Sequence, residues 1–205
     1  MRPLKLLLGL LLLPLCWAAT ASLAAVILHL RVERVADVPP SAWWLAGGFV
    51  FWMFLFVTLP RPMRTYVLAH ELTHAFWALL MGARVSRLRV SSRGGSVNVS
   101  RTNWVITLAP YFYPFYTVLV LALFLVLARF FDLRAYEPFW LALVGLTYAF
   151  HLTFTISILL QRQPDIQEHG RVFSYTVIYL LNLLGLACWI VAVANVPREF
   201  IPAWD

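Results

Sequence analysis

Long apolar runs alternate with short polar breaks along the whole chain. Six runs approach the roughly 20 residues that a bilayer-spanning helix needs. They lie at residues 6–30, 43–60, 65–82, 104–128, 139–161 and 173–196, the second and third being short. The pattern therefore predicts an all-α membrane protein of about six transmembrane helices. One stretch breaks the helical pattern. Between Arg84 and Ser100, Val85, Leu88 and Val90 precede the turn signal Ser91-Ser92-Arg93-Gly94-Gly95, and Ser96-Val97-Asn98-Val99-Ser100 then alternates. This predicts a small β-hairpin after the third helix. There is no internal repeat and no long linker, so residues 1–205 read as a single integral membrane domain. The first run continues to Leu30, beyond the roughly 7–15 apolar residues of a cleaved leader. It is expected to be a retained span.

Composition supports the same class. Of the 205 residues, 62% are hydrophobic and only 12% are charged, against about a quarter charged in a soluble domain. A soluble, disordered or fibrous chain is excluded. The net charge of +7 does not point to nucleic acid, because every Lys and Arg flanks or separates an apolar run, as at membrane interfaces. Five arginines (Arg84, Arg87, Arg89, Arg93, Arg101) lie in the loop that carries the hairpin. The positive-inside rule leans toward a cytoplasmic hairpin, while Arg2 and Lys5 favour the opposite orientation. The Leu/Ala/Arg-rich composition suits a bacterial plasma membrane. Cys16 and Cys188 both fall inside apolar runs and are expected to pack rather than pair.

Scarce charge makes each acid informative. Eight of the nine acidic residues sit in loops or at the chain ends, and the ninth, Glu71, stands in the middle of the third run. A carboxylate there costs several kcal/mol unless paired, neutral or wet, which marks it as functional. Its context is His70-Glu71-Leu72-Thr73-His74. Histidines four residues apart share one helix face. Two imidazoles so placed can hold one Zn²⁺, with the intervening glutamate as general base toward a metal-bound water.

A transmembrane His-Glu-x-x-His helix followed by a hairpin and further spans resembles the site-2 protease family of intramembrane zinc metalloproteases. The resemblance runs over about residues 66–182 and implies a metalloprotease core at 64–196. In that family the hairpin lies at the membrane on the cytoplasmic side and helps hold substrate. The family's third zinc ligand is an aspartate in an Asn-Pro-Asp-Gly or Leu-Asp-Gly setting. The nearest match is Gln163-Pro164-Asp165-Ile166, with Gly170 five residues past the aspartate and Thr73 where the family often has glycine. Topology supports Asp165 separately, because the fourth and fifth runs cross and return, so Asp165 emerges on the hairpin side. His74 lies about 15 Å of helix from Arg84. Asp165 must therefore dip into the bundle, and Pro164 would permit such a re-entrant segment.

His151, about 16 Å of helix from Arg162, has matching depth and is the alternative ligand or a supporting donor beside the metal. Glu168 and His169 read as solvated loop groups able to support Asp165. Asn182 reads as an interhelical hydrogen-bonding residue. Pro110 and Pro114 bracket Tyr111-Phe112-Tyr113 and predict a kink with freed backbone groups.

The expected function is zinc-dependent cleavage of peptide bonds in or near transmembrane segments of membrane proteins. The expected partners are such a substrate and the lipid bilayer. Two other classes use the same residues: a non-catalytic zinc-binding scaffold or regulator, and an ion or metal transporter. Intact Glu71 favours the enzyme over the scaffold. The transporter predicts further intramembrane acids, which the runs lack.

Overall fold

The computed structural model describes residues 2–29 and 38–195. The outer ends of the first and last predicted runs lie outside the described residues, as do Glu33, Asp37, Glu199 and Asp205. In chain order the elements are α1 (Arg2–His29), α2 (Pro40–Thr58), α3 (Met63–Leu80), β1 (Val85–Ser91) and β2 (Gly94–Val99). They continue with α4 (Trp104–Leu108), α5 (Phe115–Leu127), α6 (Glu137–Leu159), α7 (Pro164–His169) and α8 (Arg171–Asn195). The chain is a helical integral membrane protein with one small antiparallel hairpin.

The expectation of six spans needs correction. Among the described residues, four helices are long and apolar enough to cross a membrane: α1, α2, α6 and α8. The fourth run is not one helix. It breaks between α4 and α5, whose axes differ by 85°, and counts as a fifth span only if that bent pair is taken together. The cause is local, since proline removes a backbone donor and clashes with the preceding turn. Pro110 sits in a 3-10 turn (Ala109–Tyr111) and Pro114 precedes α5. α3 is not among the apolar spans because Arg64, His70, Glu71 and His74 interrupt its 18 residues.

Small residues let the helices approach. A Cβ on Gly48 of α2 would overlap the Ala142 carbonyl oxygen of α6, and a Cβ on Gly145 of α6 would overlap the Leu45 carbonyl oxygen of α2. This reciprocal contact is the small-residue packing by which membrane helices associate without a hydrophobic drive between them. The Trp52 indole of α2 also donates 2.9 Å to Thr153 Oγ1 of α6. On the other side, Gly9 of α1 meets the backbone of Phe173 on α8, and Cys16 is buried there as a free thiol. The core between these pairs holds Trp52, Tyr66, Phe150, Phe154, Ile166 and Val177.

The hairpin forms where expected, with a tighter turn. Ser91 pairs with Gly94 and Val85 with Val99, so Gly94 and Gly95 belong to the second strand. The register shifts between Ser86 and Arg89, where Arg87 adopts a left-handed φ of 51°, the mark of a bulge. The hairpin folds back along α3. A Cβ on Gly95 would lie 2.7 Å from Glu71 Cγ and 2.7 Å from Val67 Cγ1. Only glycine lets β2 seat against the helix here.

Two outcomes follow from these contacts. Gly48→Leu should destabilise the fold by overpacking, roughly 1–3 kcal/mol, while Gly47→Ala, with open space around it, should leave thermal unfolding in detergent nearly unchanged. Equal melting temperatures for the two would refute the helix contact. Gly95→Val should lift the hairpin from α3, seen as faster amide exchange at Val97 and Val99.

Candidate metal centre

The site is assembled on α3. Its sequence is rich in helix formers, so His70 and His74 stand one turn apart on a single face. Their rings meet edge to face with centroids 4.8 Å apart, and the two Nε2 atoms are 3.2 Å apart. The break after the hairpin and the turn into α8 bring the remaining parts.

Each histidine is oriented by its other nitrogen. His74 Nδ1 donates 2.7 Å to the Ile106 carbonyl of α4. That carbonyl is available for a sequence reason. Its helical donor would be the backbone nitrogen four residues on, which belongs to Pro110 and carries no hydrogen. His70 Nδ1 pairs with the Tyr66 hydroxyl at 3.2 Å, and the Tyr66 ring stacks on Phe154 at 4.8 Å. The carbonyl leaves His74 Nε2 as a lone pair, and with the Tyr66 hydroxyl accepting from His70 Nδ1 the His70 Nε2 faces the same point in the same form.

Asp165 completes the cluster. α7 begins at Pro164 and is separated from α8 by Gly170, whose φ of 87° suits glycine. This short re-entrant turn carries Asp165 inward, so that Oδ2 lies 3.5 Å from His70 Nε2 and 3.7 Å from His74 Nε2. The Tyr111 hydroxyl donates 2.9 Å to the same Oδ2.

The three atoms fit a metal. Zinc bonded at about 2.0–2.1 Å in a tetrahedron separates its ligand atoms by roughly 3.3–3.4 Å, close to the distances above. Two imidazole lone pairs and a carboxylate oxygen converging on one point repel one another unless a cation or proton lies among them. Among the described residues this is the one group of three such side chains able to hold an ion.

Glu71 is buried, 7% exposed, and turns to the hairpin side. Its carboxylate accepts the Val97 backbone N–H and its Cγ faces Gly95. The residue between ligands thus lies between the metal centre and β2. Thr73 is satisfied within its own helix, its hydroxyl donating 2.7 Å to the Ala69 carbonyl.

His151 is outside the cluster. It is buried on α6 and lines a small cavity of about 20 Å³ shared with Tyr66, His70 and Thr73. His169 is buried rather than solvated and meets Lys5 Nζ of α1, while Glu168 stays half-exposed at 3.8 Å from it. The expected interhelical role of Asn182 takes a specific form: Nδ2 donates 2.8 Å to the Tyr111 carbonyl.

Reading the sequence by residue type missed Tyr66, Tyr111, the Ile106 carbonyl and the Val97 amide. The two prolines signal which carbonyls lose a donor, namely 106 by the four-residue rule and 111 by the three-residue rule. Nothing in the sequence says which side chains take them.

A search of curated proteins and a search of solved structures found no match. A family model described as Peptidase M50B-like matches residues 43–161, more than half of the chain. The match takes in α2, α3, the hairpin and α6, and it ends just short of Asp165. The chain belongs to the Peptidase M50B-like family, the site-2 protease grouping that its His-Glu-x-x-His helix resembles.

Proposed function

We propose that this protein is an intramembrane zinc metalloprotease that cleaves peptide bonds in or near transmembrane segments of membrane proteins. One observation carries the reading: His70 Nε2, His74 Nε2 and Asp165 Oδ2 converge within 3.7 Å of one another beside a buried glutamate. His70, His74 and Asp165 would hold the ion. Zinc held there supplies Lewis acidity, which makes water a nucleophile near neutral pH and polarises a carbonyl.

The chain's own groups do the rest. The Glu71 carboxylate takes the proton of the attacking water and returns it to the leaving amine nitrogen. The Ile106 carbonyl keeps His74 in one tautomer, and the Tyr66 hydroxyl orients the His70 ring. A helical substrate hides its peptide bonds, so it must unwind before cleavage. The two-stranded sheet offers an edge to which an extended segment can add through main-chain hydrogen bonds. Arg87, Arg89 and Arg93 are all exposed on this hairpin, which supports a cytoplasmic hairpin side in a bacterial plasma membrane.

The test is a metal count joined to a cleavage assay on purified protein and a panel of membrane-spanning peptides. Wild type should hold about one zinc per chain and cleave at least one peptide. Glu71→Gln should keep the zinc and lose roughly 10²–10⁴-fold in rate. Asp165→Ala and His74→Ala should lose zinc, whereas His151→Ala should retain it. Chelation should abolish cleavage and added zinc restore it. A wild type without zinc, or cleavage unchanged in Glu71→Gln, overturns the proposal. Zinc without cleavage of any peptide would point to a non-catalytic zinc protein instead.

A further inference from the structure

Asp165 is the one ligand that does not come from α3. It stands on a six-residue helix bounded by Pro164 and Gly170, an element too short to hold a side chain by itself. Its carboxylate nevertheless accepts the hydroxyl of Tyr111, which is 0% exposed. The Tyr111 ring packs edge to face on His70, centroids 5.3 Å apart. Tyr111 touches two of the three ligands.

Tyr111 is itself held from behind. It lies in the 3-10 turn between the two prolines, where Pro114 cannot supply the N–H that would close a three-residue turn onto the Tyr111 carbonyl. Asn182 of α8 supplies that donor, 2.8 Å from Nδ2, and gives a second one to the Ile178 carbonyl at 2.8 Å. Both amide hydrogens are thus committed. A polar line runs from Asn182 through Tyr111 to Asp165, joining α8, the broken span and α7.

We infer that Tyr111 is a positioning residue for the third metal ligand, and that Asn182 acts on the metal site through it. The inference rests on the zinc reading above. Partners behind metal ligands fix ligand orientation, and their loss typically weakens metal binding 10–100-fold. Here the geometry makes Tyr111 such a partner for a carboxylate that its own short helix leaves under-determined.

The experiment measures zinc affinity of the full chain in detergent against a chromogenic chelator, with cobalt(II) absorption as a second readout. Tyr111→Phe removes one hydroxyl, and it should weaken zinc about 10–100-fold and shift the cobalt bands. Tyr113→Phe is the control. Its ring stacks on Phe76, centroids 5.6 Å apart, and it should change neither readout. Asn182→Ala should also weaken zinc, but should add little in the Tyr111→Phe background, because the two act in series. Losses that multiply would overturn the line and show two independent structural lesions. Wild-type affinity and an unshifted cobalt spectrum in Tyr111→Phe, beside loss of zinc in Asp165→Ala, would overturn the positioning role. Should Tyr111→Phe not fold, Asn182→Ala alone decides, with unchanged zinc affinity against the inference. A wild type that binds no zinc removes the underlying reading and the inference with it.

Discussion

The constraint on which this structure depends is that polar groups inside an apolar bundle must satisfy one another. Unpaired backbone or side-chain polar groups cost several kcal/mol in hydrocarbon. The chain places His70, Glu71 and His74 in the middle of α3 and then breaks the next span. The two features are complementary. Pro110 leaves the Ile106 carbonyl without its helical donor, and His74 Nδ1 takes it. Pro114 leaves the Tyr111 carbonyl open, and Asn182 takes it. The broken span thus supplies acceptors at the depth where α3 and α8 carry donors.

The same constraint explains the position of the hairpin. Glu71 lies between the histidine cluster and β2, on the side of the Val97 amide. β2 can come this close only because Gly95 has no side chain. A strand lying along a helix whose interior carries a buried carboxylate has main-chain groups to offer. It is a better neighbour for that carboxylate than another apolar helix would be. The hairpin therefore belongs to the polar interior of the fold as much as to its surface.

Packing follows from the same economy. Since lipid tails are as apolar as leucine, the helices hold together by close approach at small residues. Gly48 and Gly145 bring α2 against α6, and Gly9 brings α1 against α8. These two pairs stand on either side of the site. α6 contributes Phe154 beneath Tyr66, and α8 contributes Asn182 behind Tyr111. The apolar scaffold positions the His70, His74 and Asp165 cluster through residues outside it.

Much of this was legible in the sequence. The scarcity of charge makes the bundle inevitable and makes Glu71 conspicuous, and helical periodicity alone puts His70 and His74 on one face. The alternation after Arg84 marks the hairpin. Apolar length, however, is a one-dimensional measure, and it counted α3 and the broken α4–α5 run as spans. Whether a run is straight depends on what receives the backbone groups its prolines release, and that is a matter of neighbours. The choice between Asp165 and His151 in the cluster was likewise decided by tertiary structure. Both had the right depth, but only the turn between Pro164 and Gly170 carries a side chain to the two imidazoles, while His151 stays outside the cluster on α6. Periodicity determines which residues share a face of one helix. Which faces of different helices meet is set by glycine contacts and broken backbone, and only the folded chain brings those together.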